Sequence, residues 1–416
     1  MTFFGIDDHH IYQVDKKVRS PIYETKNLLL GIEVDLSRSM LLIHEAAPKK
    51  APYDTTQLLL FTIESGEITP LHTTSGVVIF FTFKEGSTPF FLVDTDPMWE
   101  NRGLDPYKPR GIGMKNGLFH QGSLFLAVTH EGADLLVEIK GETPVIHPHP
   151  LTSIQELFSH NNHLCIAGKD ESGTFKICSL EAQMAPPQGI MKNLHSLQKK
   201  GWCVGPIEKN RKILIRIHGG PIAHTEKVLT EEILHYLPLD YTLVYPNYVG
   251  STGYGRKHRL GLLGNYGVKD VEEIVELLQE LHARGIDYKD IFLKGKSSAG
   301  LTAMLAACKV PVAALSIYCP VTENNPNDEE LSFLFPKNFA PRHQLAALRT
   351  PLILFQGDSD TIISPEATAS FVALFKGDLK IESHLLKGVG HFIRGPIESW
   401  CLTQETDFLK NGSRAI

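Results

Sequence analysis

From Gly201 onward the chain alternates strand-length apolar runs with helix-length segments, and this alternation restricts its folds most. The runs are "KILIRI" from Lys212, "YTLVY" from Tyr241, "DIFLK" from Asp290, "VAALSI" from Val312, "PLILF" from Pro351 and "KIESHLL" from Lys380. Between two of them, "VKDVEEIVELLQEL" places Val268, Val271, Ile274, Val275, Leu278 and Leu281 on one helical face. Strands alternating with helices imply a largely parallel sheet covered on both sides, an α/β domain.

The first half has a different period. Apolar runs flank a polar or glycine-bearing turn in "VVIFFTFKEGSTPFFLVD" from Val77, "SLFLAVTHEGADLLVEIK" from Ser123 and "HLCIAGKDESGTFKICSL" from His163, with a looser copy from "SRSMLLIHEA" at Ser37 to "QLLLFTIESGE". Each is a β-hairpin signal. The starts lie roughly 40 residues apart, the period of a propeller blade, and with the strand material between Ile11 and Leu36 they predict about five short blades. A chain of 416 residues suits two domains. They are expected as a β-propeller-like domain over residues 1–195 and an α/β domain over 196–416.

Bulk properties narrow the partners. The net charge is −6 and no basic run is present, which gives no electrostatic footprint for nucleic acid or an anionic membrane surface. The start has no signal-peptide pattern and no run approaches a membrane helix, so a cytoplasmic protein is expected. Cys165, Cys178, Cys203, Cys308, Cys319 and Cys401 have neither C-x-x-C spacing nor paired histidines, so no metal site, cofactor or disulfide framework is expected.

Four short stretches carry chemistry. In "GKSSAG", Ser297 has Gly295 two positions before it and Ala299 two after, the small residues that a strained strand-to-helix elbow needs around a nucleophile. Ser298 has Lys296 two positions before it and is placed instead to lend its backbone N–H to an oxyanion. "RIHGGPIAH" from Arg216 resembles the glycine-rich loop that supplies the other oxyanion donor in α/β-hydrolases, here Gly219 or Gly220. "LILFQGDSDTIISP" ends a strand in a loop holding Asp358 and Asp360, and "LLKGVGHFIRGP" ends the next in a loop holding His391. The order Ser, Asp, His is the one this chemistry uses: the imidazole accepts the serine proton, and the carboxylate fixes the imidazole.

These stretches, with "GWCVGP" from Gly201, "YPNYVGSTGYG" from Tyr245 and "GNYGVKDVEEIVELL" from Gly264, resemble the prolyl oligopeptidase family of serine peptidases, nearest the acylaminoacyl peptidase type. The resemblance implies Ser297 as nucleophile, Asp360 rather than Asp358 as acid, His391 as base and a propeller over the site. It also puts Tyr248, Val249 and Lys296 at the substrate. The sequence departs from the family pattern at Val249, where an arginine is usual, at Ser298, where an aromatic is usual, at Lys296, and at Gln356, where a histidine is usual. The expected activity is cleavage of an amide in a short peptide or small acylated substrate, with a homo-oligomer left open. The alternatives are an esterase or tailoring hydrolase of a small metabolite and, from another class, an inactive propeller scaffold.

Overall fold

The apolar runs of the second half join in one eight-stranded sheet. Its strands are β1 (Lys192–Asn193), β2 (Gly201–Val204), β3 (Lys212–Ile217), β4 (Tyr241–Pro246), β5 (Ile291–Lys296), β6 (Ala314–Tyr318), β7 (Leu352–Gly357) and β8 (Ile381–Leu386), in the spatial order β1-β2-β4-β3-β5-β6-β7-β8. Neighbours from β4 to β8 run parallel, while β1 and β2 form an antiparallel extension on β4. The sheet therefore begins at Lys192, just before the boundary expected at residue 196.

Successive side chains along a strand point to opposite faces, and here both faces are dry. Ile213, Ile215, Ile217, Ile291, Leu293, Leu315, Ile317, Leu352 and Leu354 enter one core, and Leu214, Phe292, Ala314, Tyr318, Ile353 and Phe355 the other. Five helices matter for the site: α1 (Glu231–Tyr236), α2 (Arg256–Leu260), α3 (Lys269–Ala283), α4 (Ser298–Lys309) and α5 (Pro396–Gly412). The first core is closed by α3 and α4, the second by α1 and α5. On α3 the buried apolar residues are Val271, Ile274, Leu277, Leu278 and Leu281, with Val275 at the margin.

This arrangement comes from a computed structural model that describes residues 3–7, 9–15, 18–47, 53–84, 88–95, 99, 104–107, 117–140, 143–180, 189–324, 333–375 and 379–412. Among these, the first half forms five antiparallel sheets, of three strands (residues 3–24), four (29–72), two (78–93), four (117–147) and three (153–179). Each packs on the next in chain order. Ile11 meets Leu41 and Phe61; Leu42 and Leu58 meet Val78; Ile79 and Phe80 meet Leu124 and Leu126; Phe125 and Leu136 meet Ile154 and Leu164. No described helix is long and apolar enough to cross a membrane.

The two halves meet along a polar seam. The tip of the hairpin at Glu131 and Gly132 exchanges backbone hydrogen bonds with Gly253 and Lys227, and Glu171 accepts from Leu229 N. On α2, Arg259 is fully buried and donates to Asp94 Oδ2 (2.5 Å), Asp105 Oδ2 (3.0 Å) and the carbonyl of Tyr53 (2.5 Å). Its neighbour Arg256 reaches Asp54 (2.8 Å) and Asp94 (3.2 Å).

Candidate active site

β5 ends at Lys296 and α4 begins at Ser298, so Ser297 is the single residue of the turn between them. Its backbone stands at φ 57°, ψ −126°, a region that costs a non-glycine residue about 1–3 kcal/mol and persists only where the surroundings enforce it. They do so here: Ser297 N donates to Tyr318 O (2.9 Å), and Ser297 O accepts from Gly300 N (2.9 Å) and Val321 N (3.1 Å). A Cβ on Gly295 would sit 2.2 Å from Ala299 O, and one on Gly300 would sit 2.8 Å from Pro320 Cβ. Small residues at these positions are a steric requirement of the turn.

The glycine loop after β3 lies directly against this turn. A Cβ on Gly219 would come within 2.9 Å of Lys296 O and 3.6 Å of Ser297 Cβ, so only glycine brings that backbone so near. Gly220, at φ 132°, continues the loop. Behind it, His218 Nε2 pairs with Ser251 Oγ (2.7 Å), and Tyr248 stacks on the His218 ring at 4.5 Å and donates its hydroxyl to His218 O (2.8 Å). Burial pushes His218 down to about 3, so it stays a neutral strut. Ser298 is buried at the first position of α4, and its carbonyl accepts from Tyr266 Oη (2.7 Å).

Asp360 and His391, the expected acid and base, meet on the loops after β7 and β8. His391 Nδ1 lies 2.8 Å from Asp360 Oδ2, both side chains being almost fully buried. Burial works against the Asp360 anion, but N–H bonds from Ile363 and Ile362 and the bond from His391 outweigh it and hold the carboxyl below its ordinary range. An ionised Asp360 keeps the proton on His391 Nδ1 and leaves Nε2 as the acceptor. Asp358 is exposed and accepts from Ser359 Oγ and Gly388 N (both 2.8 Å), a turn-forming role away from His391.

Residues 230–413, which span Ser297, Asp360 and His391, match the family model described as the prolyl oligopeptidase family. They form a prolyl oligopeptidase family domain. The chain is 26% identical over 245 residues to the uncharacterized peptidase YuxL of Bacillus subtilis (strain 168), covering 51% of this chain and 36% of that protein. It thus spans about a third of that relative's length. Among solved structures it superposes on puromycin hydrolase with a TM-score of 0.78 at 16% identity, covering 97% of this chain and 74% of the other. On the acylaminoacyl peptidase of Pyrococcus horikoshii it reaches 0.62 at 14% identity, covering 100% and 87%. Both likenesses concern the fold, an N-terminal β domain ahead of an α/β-hydrolase domain.

Within this prolyl oligopeptidase domain, three residues expected at the substrate stand differently. Tyr248 is 1% exposed and occupied beneath the glycine loop, so it supports that loop from behind. Val249 is also buried, its N–H donating to Glu273 Oε2 on α3 (3.0 Å). Lys296 alone is half-buried beside the elbow, its Nζ 4.6 Å from the centre of the Phe392 ring. Gln356, the departure before the acid loop, clamps that loop: Nε2 donates to Asp360 Oδ2 (3.3 Å), Gly357 O and Ile363 O (3.1 Å each), and Oε1 accepts from Thr368 Oγ1 (2.8 Å).

Two features escaped the sequence. Lys294 on β5, two residues before Lys296, binds Glu232 (2.6 Å) on α1 and Glu405 (2.9 Å) on α5, and Glu405 also accepts from Tyr236, Ser316 and Tyr318. This buried network ties the elbow strand to both helices on that face. Cys319, expected to belong to no ligand set, places its Sγ within 4.8 Å of donor atoms of Asp360 and His391. Burial pushes its thiol up to about 12, whereas a metal needs the thiolate, and Asp360 and His391 are already bonded to each other.

Proposed function

We propose that the protein is a serine peptidase that cleaves an amide near one end of a short peptide or acylated amino acid through an acyl-enzyme. Ser297 attacks the scissile carbonyl while His391 Nε2 takes its proton, with Asp360 stabilising the imidazolium. The oxyanion is held by Ser298 N–H and an N–H of the Gly219–Gly220 segment. His391 then gives its proton to the leaving amine, and water, deprotonated by the same imidazole, releases the acid. The observation that carries this reading is the strained Ser297 elbow set against the Gly219 backbone, with the buried His391–Asp360 pair on the neighbouring loops of one prolyl oligopeptidase domain.

The five sheets joined to the domain at the Arg259 seam would limit access, so short substrates should be cleaved and long chains refused. The test is initial rate against substrate length, from a chromogenic aminoacyl amide through short peptides to a denatured polypeptide, with Ser297→Ala as control. A steep fall with length, and no cleavage by Ser297→Ala, is expected. Cleavage of esters but of no amide would make the protein an esterase.

A further inference from the structure

Beside the base, two cations stand around one exposed ring. Phe392 follows His391, meets its imidazole edge-on at 5.4 Å and is 62% exposed. Lys296 Nζ lies 4.6 Å from the Phe392 ring centre and Arg394 Cζ 5.3 Å. Neither cation has an ion pair or hydrogen bond among the described residues. Asp360 is committed to His391, Ile362 N and Ile363 N, and Glu398 on α5, within electrostatic range of Lys296, makes no ion pair with it. A half-buried ammonium over a ring face with no ion pair of its own loses hydration that a bound anion would restore.

The position tells which part of a substrate would supply that anion. His391 protonates the leaving amine, so groups flanking its ring flank the leaving portion. When that portion is a single amino acid, its α-carboxylate is two bonds from the nitrogen that His391 serves. With two residues it lies roughly 3.5 Å further on. We propose that Lys296 and Arg394, arrayed about Phe392, bind the free terminal carboxylate of the leaving amino acid or dipeptide, so that the enzyme prefers bonds one or two residues from a C-terminus. Phe392 supplies a flat apolar wall for the leaving side chain. This rests on Ser297, Asp360 and His391 acting as proposed and adds the substrate class: N-acyl amino acids and short peptides ending in a free acid.

The experiment uses the full chain and a matched pair, an N-acyl dipeptide with a free C-terminal carboxylate and the same dipeptide as its C-terminal amide. Charge-assisted bonds to a carboxylate predict a kcat/KM ratio of acid over amide of at least ~10 at low salt, narrowing as salt rises. Lys296→Met and Arg394→Gln should each lower the ratio, and the double variant should bring it to about 1. Because the ratio compares two substrates on one protein, damage to the shared machinery cancels. Arg394 is exposed, so its variant tests the idea even if Lys296→Met folds poorly. A ratio near 1 in the unaltered protein, or one unchanged in the double variant, overturns the carboxylate site. If Ser297 still reacts with a serine-directed probe in that case, only this inference falls; if Ser297 is inert and neither substrate is cut, the peptidase reading falls with it.

Discussion

Arg259→Met should destabilise the protein and loosen its two halves. The substitution keeps volume and removes a fully buried cation that holds Asp94, Asp105 and the Tyr53 carbonyl, with the Tyr107 ring 4.2 Å from its guanidinium. The two aspartates are not equally exposed to the loss. Asp94 keeps Arg256 (3.2 Å) and the N–H of Val77 (2.7 Å), whereas among the described residues Asp105 keeps only the N–H of Tyr107 (3.2 Å). Breaking a buried pair by deleting one partner costs about 3–5 kcal/mol, because a charge is stranded, while neutralising both partners is often nearly neutral. The single variant should therefore lose about 3–5 kcal/mol, and Arg259→Met with Asp105→Asn should recover at least half of it. Burial already raises Asp105 against the pull of Arg259, and without Arg259 it rises further. The native variant then binds a proton that the unfolded chain does not, so its stability falls as pH rises and the deficit is largest at neutral pH. The assay is urea unfolding at several pH values, comparing midpoints at equal slope. A loss under about 1 kcal/mol, or a double variant no better than the single, would refute the stranded-charge reasoning.

Other outcomes follow from the site. Gly295→Ala drives a Cβ to 2.2 Å from Ala299 O, so the elbow must open and turnover should fall at least ~10²-fold in a steady-state assay; near-normal rates would show the turn to be pliable. Asp360→Asn should cost turnover severely with the fold intact by circular dichroism, and Asp358→Asn should do little; equal losses would withdraw the acid's assignment. Burial pushes His44 and His218 down to about 3 and His258 to about 4, so the unfolded chain binds more protons than the native one between those values and about 6.5. Stability should thus rise with pH across that window, and a flat denaturation midpoint from pH 4 to 7 would contradict it.

The parts of the fold that sequence made legible are those governed by short-range pattern. The doubly covered sheet follows from uninterrupted apolar runs such as "DIFLK" alternating with the α3 periodicity, and the elbow from the sizes of Gly295, Ala299 and Gly300. The two-residue β1 is too short to carry a pattern, which is why the sheet starts earlier than the expected boundary. Contacts such as Arg259 with Asp94 or Lys294 with Glu405 join residues more than a hundred positions apart, and nothing local to either partner marks them. Tyr248 illustrates a subtler limit. Its motif places the residue near the site, but whether the ring faces the substrate or the back of the glycine loop depends on the His218 plane it stacks on.

Whether Ser297 is the nucleophile is measured most directly by reacting the full chain with a fluorophosphonate and locating the adduct by mass spectrometry. A single adduct on Ser297 is expected, absent in Ser297→Ala, abolished or greatly slowed in His391→Ala and retained in Ser298→Ala, which keeps the backbone donor. An adduct on Ser298, or labelling of Ser297 that is indifferent to His391, would contradict the proposed triad.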